Sequence, residues 1–448
     1  MKEMTRGYPA KVILRFAIPL MLGNILQQVY NITDSKIVSH FIGSDALAAV
    51  GATAIISNTL TGFINGSTQG FAILVSRSLG EKNPEGMRSY VAGAVRLTLL
   101  YIVLLTAFGE LFIGSFLKLL NTPADIIKDA REYIMIIIAG IFCISVYNFC
   151  ANILRSVGDT LRPLICLMLS LAVNLGLDLL FVAVFRFGIR GAAYATVIAQ
   201  AVSAAACVFF FVHRYPELIP GRTEMRVPAS RLRALFTNGL SMGLMGCIVN
   251  IGSIILQSAI NGLGTVYITA QTAGRRVFDI MMIMIFTIGL SMTTYVSQNL
   301  GAGEYGRIRQ GIRHALLLDT GITTVLIAFT YAFGERLVRW ILSSTDSVMV
   351  NAGTRYIEWG VLFFYVLGPL FILRCSLQGL GRKIVPLVSS GLELLTKVIF
   401  ALVLVPHFGY NGVILTEPVS WIIMIVPLII VYWRHRPGGE KSGSENRS

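Results

Sequence analysis

Charge is what this sequence has least of. Only 13% of its 448 residues are Asp, Glu, Lys or Arg, and 55% are hydrophobic, against roughly 25% charged residues in a soluble domain. That balance excludes a soluble enzyme or binding domain and leaves an integral membrane protein. Cysteine is sparse too. The six (Cys143, Cys150, Cys166, Cys207, Cys247 and Cys375) all lie in apolar runs without CxxC spacing, so neither disulfides nor a zinc site is implied and packing is their expected role. The five histidines are scattered near loops and span ends. No GxSxG, HExxH or GxxxxGK[ST] is present, so no enzyme and no ATPase is expected, nor any cofactor or resident metal.

What is present is a series of roughly twelve apolar runs, each near the ~20 residues a helical span requires. The runs are continuous, whereas strands of a membrane barrel alternate over about ten residues, so a barrel is excluded. Expected spans are 12–41, 46–77, 89–118, 129–155, 162–186 and 189–213, then 231–261, 266–299, 308–341, 352–379, 384–406 and 410–433. The first run is too long for a signal-peptide core and lacks a small-residue cleavage site. A formal charge of +14 raises the question of nucleic acid, but the basic residues mark topology instead. They precede the first span (Lys2, Arg6, Lys11, Arg15) and recur in every second loop, as at Arg77, Lys82 and Arg88 or Arg307, Arg309 and Arg313. The positive-inside rule therefore places both termini in the cytoplasm.

The chain repeats itself. VSRSLG ending at Gly80 returns as VSQNLG ending at Gly301, and FGIRG from Phe187 returns as FGYNG from Phe408, both at an offset of 221. LRSVGDTLRPL from Leu154 matches LQGLGRKIVPL from Leu377 at 223, so a two-residue deletion separates the matches. Six spans per half keep equivalent loops on one side, which makes the repeat parallel about an axis along the membrane normal. The expected fold is all-α, twelve transmembrane helices in two pseudo-symmetric six-helix bundles with a central cleft. The lobes are read as 1–213 and 231–437, joined by a cytoplasmic linker at 214–230 that holds Pro216, Pro220 and Pro228, and followed by a disordered tail at 438–448.

Charges deep in a span carry most information, because each costs about 2.5 to 3.5 kcal/mol on insertion scales. In the first half Asp34 and Asp178 qualify. At 1.5 Å per residue Asp178 lies about 12 Å inward of Arg186, Asp34 about 10 to 13 Å inward of its span end, and Thr196 about 9 Å inward of Arg190. Asn174 stands one turn from Asp178 on the same face. Two carboxylates with an amide and a hydroxyl suit a proton, since one ionisation suppresses the next. Oxygen ligands suit a sodium ion equally. Interhelical glue is the structural alternative for Asn174, Asp178 and Thr196. The repeat provides a control: Asp178 falls on Ile399 or Ala401 and Asp34 on Ile255. The pair belongs to the first half alone.

The second half has Glu393 and Lys397, four apart, and Glu417, the counterpart of Thr196. A structural salt bridge and a substrate or coupling role both fit Glu393, Lys397 and Glu417. MMIMIF from Met281, with Phe278 before it, fits either an adaptable cleft wall or lipid-facing packing. Phe278, Met281, Met282 and Gln257 are the candidate cleft-lining residues. Arg275 and Arg276 are in reach of Asp279, and Arg374 is placed to snorkel. Helix kinks are expected at Pro19, Pro369 and Pro418.

FAIPLMLGNILQQVYNITDSKIVSHFIGSDALAAVG in the first span and outer loop, LRSVGDTLRP before span five, and NLGLDLLFVAVFRFGIRGAAYAT across spans five and six together resemble the multidrug and toxic compound extrusion (MATE) transporters. The resemblance covers essentially the whole chain. It implies an antiporter that expels amphipathic, often cationic, small molecules in exchange for H+ or Na+. It also implies that Asp34, Asn174, Asp178 and Thr196 form the cation site of prokaryotic members. Another branch has an acidic residue in span seven, where this chain has Asn250, Ser253 and Gln257. The ExxxK of span eleven and the Glu of span twelve resemble the branch that handles cationic drugs in Gram-positive bacteria. The expected partners are small amphipathic cations and the lipid bilayer, with the chain a monomer in a bacterial cell membrane. A lipid-linked oligosaccharide flippase of the same superfamily and a non-transporting receptor or scaffold are the rival readings.

Overall fold

A computed structural model of the chain describes residues 3–119, 122–342 and 346–435; the expected tail at 438–448 lies outside the described residues. Among the described residues there are helices and no strands. The first half comprises α1 (Pro9–Phe41), α2 (Ser44–Gly80), α3 (Pro84–Leu119), α4 (Ala124–Ala139), α5 (Ile141–Ser156), α6 (Leu161–Asp178), a π turn (Leu179–Val184) and α7 (Ile189–Arg214). The second comprises α8 (Ala229–Asn261), α9 (Thr265–Gly301), α10 (Tyr305–Leu342), α11 (Ser347–Leu362), α12 (Phe364–Gly379), α13 (Ile384–Ile399), a π turn (Phe400–Leu404), α14 (Val405–Phe408) and α15 (Tyr410–Arg434).

Among the described residues ten helices are long and apolar enough to cross a membrane, and twelve spans result when the bent pairs α4–α5 and α11–α12 each count as one. These pairs bend by 47° and 52°. The bends lie at Gly140, where no proline stands, and at Phe363, short of Pro369. At both points the ladder tightens to three-residue spacing, Cys143 N–H to the Gly140 carbonyl and Val366 N–H to the Phe363 carbonyl. Kinks expected at Pro19 and Pro418 do not break their helices, since α1 and α15 run on through both.

The repeat is carried into the backbone. α2 and α9 are both 37 residues long, α4, α5, α11 and α12 are each 16, and a π turn follows α6 and α13 alike. A left-handed glycine introduces α7 and its counterpart α15, Gly188 at φ 63 and Gly409 at φ 56.

Compact packing divides the chain into one unit of Leu22–Cys247 and another made of Glu3–Met21 with 248–435. The division falls inside α1 and inside α8 rather than at the 214–230 linker. Residues at the start join the second unit because Met4 N–H donates to Gln298 (2.7 Å), the Tyr8 hydroxyl meets His314 (2.8 Å), and Ile13, Phe16 and Leu20 are buried against Ile288, Met292 and Tyr295. The first turns of α8 stay with the first unit. There Gly66 and Gly70 on α2 let the backbone at Met242 and Asn238 approach so closely that an added Cβ would stand 2.5 and 2.6 Å from their carbonyl oxygens, a small-residue contact of the kind that packs membrane helices.

Candidate cation site and the ion chain of the second unit

The first unit gathers the four residues singled out by depth. Asp178 is the last residue of α6 before the π turn and is fully buried; Asn174, one turn back, is buried at 3% exposure. The Asn174 amide donates to Asp178 Oδ2 at 3.1 Å. Asp34, on the part of α1 that belongs to this unit, brings its carboxyl within hydrogen-bonding reach of Asp178. Thr196 of α7 donates back to the Ala192 carbonyl at 3.0 Å and leaves its oxygen in reach of two phenols, Tyr30 and Tyr133.

Two buried oxygens stay without a partner, Oδ1 of Asp34 and Oδ1 of Asp178. Among the described residues no basic side chain pairs with either carboxylate. Two ionised carboxylates side by side in an apolar setting repel and leave acceptors unsatisfied; a proton or cation added between them removes both costs. Chemically the arrangement is a trap for one positive charge.

Tyr30 and Tyr133 were not among the sequence candidates. Tyr30 has a signal, because it precedes Asp34 by one turn and shares its face. Tyr133 has none within its own helix, and only folding brings α4 to α7.

The second unit gathers Glu393, Lys397 and Glu417 into a chain of charges that reaches further than their spacing suggests. Lys397 Nζ lies 2.8 Å from Glu393 and 3.4 Å from Glu417; Glu417 is also 3.2 Å from Arg275, whose Nε lies 2.8 Å from Asp279. Lys397 is 1% exposed and both glutamates 7%. Tyr356 lies beside Arg275 in the same cluster, its hydroxyl without a hydrogen-bond partner. At the repeat offset of 223 Tyr356 corresponds to Tyr133 and Lys397 to Asn174, while Glu417 corresponds to Thr196 at 221. The cluster thus occupies the place that the carboxylate pair has in the first unit, with a tethered ammonium and guanidinium where the first unit has no fixed cation.

The other candidates are dispersed. Phe278 is buried among Tyr356, Phe364 and Trp421, with centroids 4.9 to 6.0 Å away, so it is packed in the core of its unit and lines no open wall. Met281 is buried beside a wholly apolar groove of about 840 Å³ between α9 and α10, Met282 is half-buried, and Gln257 is exposed with its amide 2.9 Å from Asn261. Arg374 does not snorkel: it is 7% exposed and bonds the Ser390 hydroxyl, because Ser390 and the field of Glu393 keep it inside.

At one end of the first unit LRSVGDTLRP closes on α7. Asp159, 1% exposed, accepts from the Leu161 and Arg162 backbone, from the Tyr215 hydroxyl at 2.8 Å and from the Arg162 guanidinium. Burial, and then the bond to Asp159, push the Tyr215 phenol up to about 12.

A family model described as MatE matches residues 19–180 and again 242–403, the two halves of the repeat. The chain is 28% identical over 389 residues to "Probable multidrug resistance protein YpnP" of Bacillus subtilis (strain 168), covering 87% of this chain and 86% of the relative. It is 25% identical over 431 residues to "FAD transporter" of Shewanella oneidensis (strain MR-1), covering 92% of each. A solved structure, "Crystal structure of MATE in complex with MaL6", superposes with a TM-score of 0.88 at 22% identity over 96% of this chain and 97% of that one, which bears on the fold. With its twelve-span helical fold and both of its halves matched, the chain belongs to the MatE family of multi-pass membrane transporters.

Proposed function

We propose that this transporter is a secondary antiporter that exports amphipathic, cationic small molecules in exchange for protons, working as a monomer by alternating access. The observation that carries the reading is the Asp34–Asp178 pair, adjacent, with Asp178 fully buried and Asp34 half-buried, unpaired by any basic residue among the described residues and holding an unpartnered buried oxygen on each carboxyl. Protonation from outside removes the repulsion between the carboxylates, rearranges the bond from Asn174 and the contacts of Tyr30 and Tyr133 around Thr196, and lowers the affinity for a cationic substrate. Proton loss to the inside restores it. Coupling requires this difference of affinity between two states, not merely a binding site.

Asn174, Thr196, Tyr30 and Tyr133 act on the pair by orienting it and supplying neutral donors. Glu393, Lys397 and Glu417 are assigned a structural role, since the tethered cations already neutralise most of their charge. The basic loops support cytoplasmic termini. The name of the Bacillus relative supports a drug-like substrate; the name of the Shewanella relative makes FAD the substrate to test against it.

The test is export of a fluorescent organic cation from proteoliposomes, with pH and sodium gradients imposed separately. Proton antiport predicts acceleration by the pH gradient alone. Acceleration by sodium alone assigns the same oxygen ligands to Na+, and acceleration by neither removes the coupling role.

A further inference from the structure

The second unit holds one more deep carboxylate that neither the ion chain nor the family assignment uses. Asp319 of α10 is 1% exposed, and its Oδ1 has no hydrogen-bond partner. It lies about 9 Å along the helix inward of Arg313. Its carboxyl is pressed against the backbone of Gly368 on α12: a Cβ built on that glycine would stand 1.8 Å from Asp319 Oδ2. Gly368 is followed by Pro369 and lies five residues past the 52° bend at Phe363. The notch is therefore cut into the helix that bends.

A second hydroxyl is kept free beside it. On α10 Thr320, Thr324 and Thr330 donate to the carbonyl four residues back at 2.8 Å, as hydroxyls in membrane helices commonly do. Thr323, fully buried and one turn from Asp319, makes no such bond, and its Oγ1 has no partner. In the first unit the equivalent positions are Thr98 and Ser145, two small hydroxyl residues with no acid. The acid and its glycine notch belong to the second half alone.

No neighbouring charge compensates Asp319. On its own helix Arg313 lies toward the end, and His314 is engaged by Tyr8 and the Gln310 carbonyl. On α9 Arg275 and Asp279 are tied into the ion chain, and the Tyr295 hydroxyl donates to the Arg307 carbonyl. On α11 Arg355 bonds Asn411, Tyr356 lies beside Arg275, and Glu358 is the remaining acid. On α12 Tyr365 meets Thr324, and Arg374 meets Ser390. An isolated carboxylate in such a place is too costly to persist ionised and takes up a proton instead.

We propose that Asp319 is a second proton-binding site, independent of the Asp34–Asp178 pair, whose proton holds α10 against the Gly368 notch of α12 beside the bend. Ionisation demands solvent or a cation at the carboxylate, and the route to either is separation of the two helices at that notch. The site therefore links proton release to opening of α12 at its bend. It stands whether or not the first-unit pair couples transport.

The test uses the full chain in lipid nanodiscs, with hydrogen exchange at the α12 amides 364–370 followed from pH 6 to pH 9 after correction for intrinsic rates. Linkage to one proton predicts that opening rises about tenfold per pH unit above the titration of Asp319. Asp319→Asn, which keeps the shape and cannot ionise, abolishes that rise, whereas Asp34→Asn and Asp178→Asn leave it intact. Infrared difference spectra between the same pH values give a second readout: the protonated carboxyl band loses one component in Asp319→Asn and keeps it in Thr323→Val, with its frequency shifted. A pH-independent exchange rate in the wild type, or an unchanged carboxyl band in Asp319→Asn, overturns the proposal. A rise in exchange that persists in Asp319→Asn does the same.

Discussion

Replacing Lys397 by Met should damage the protein more than removing the whole pair does. Lys397 is 1% exposed and lies between Glu393 at 2.8 Å and Glu417 at 3.4 Å. Met fills most of the volume of the lysine stem, so packing is nearly kept and the loss is electrostatic. Glu417 retains Arg275 at 3.2 Å; Glu393 loses its ion-pair partner. Breaking a buried pair from one side costs about 3–5 kcal/mol because the other charge stays behind in a poor solvent. For a unit of this size that corresponds to a fall of roughly 10 °C in Tm. The double variant Lys397→Met/Glu393→Leu removes both charges, and exchange of a buried pair for apolar residues is commonly neutral or better, so most of the loss should return. Thermal unfolding of the detergent-purified wild type, both singles and the double variant measures the coupling. The structural assignment predicts a recovering double variant whose transport rate stays within a few-fold of wild type. A double variant as unstable as Lys397→Met refutes the energetics, and a stable double variant without transport refutes the structural assignment.

Asp159→Ala should destabilise the first unit by about 3 kcal/mol, since it removes a first-turn acceptor and leaves the Tyr215 hydroxyl and the Arg162 guanidinium without their buried partner; chemical denaturation followed by far-ultraviolet circular dichroism measures it, since all four tryptophans lie in the second unit, and a loss below about 1 kcal/mol contradicts the bonding described. Tyr215→Phe should remove an alkaline step. The phenol is raised in the folded protein, so its contribution is complete below its unfolded value near 10 and is lost as pH climbs through about 12; melting curves across that window should fall for the wild type and flatten for the variant. Tyr133→Phe and Thr196→Val should leave folding within about 1 kcal/mol of wild type, because each removes one polar group from a half-buried place, and should move the pH at which cation export is half-maximal; unchanged pH profiles in both variants would show that neither residue acts on the carboxylates.

The architecture was written in the sequence chiefly through its repeat. The 221 offset between VSRSLG and VSQNLG reappears as two helices of equal length, α2 and α9, and the 223 offset of LRSVGDTLRPL and LQGLGRKIVPL as equal 16-residue helices on both sides of each bend. The bends were hidden because they depend on tertiary approach. At Gly140 a Cβ would stand 2.5 Å from Val197 on α7, a neighbour that periodicity cannot supply. The attachment of Glu3–Met21 to the second unit was hidden for the same reason, since it rests on Gln298 and His314, far along the chain.

For the site, depth counting grouped Asp34, Asn174, Asp178 and Thr196, because rise per residue and flanking basic residues suffice to rank depth. It could not supply Tyr133 or join Arg275 to Glu417, which requires knowing how α9 and α15 face one another. Asp319 is a different case. LLLDTGITT shows a lone acid in an apolar run as openly as NLGLDLLF does, yet its meaning comes from Gly368, a residue whose relevance is the absence of a side chain.

The Asp34–Asp178 pair is proposed to couple transport to an ion gradient. The most direct measurement is export of a fluorescent cation from proteoliposomes under an imposed pH gradient, comparing wild type with Asp34→Asn and Asp178→Asn at matched protein content and folding. Coupling through the pair requires that wild-type export accelerate with the gradient and that both variants, though folded and still able to bind the cation, lose that acceleration. Full gradient-driven export by Asp178→Asn would contradict it.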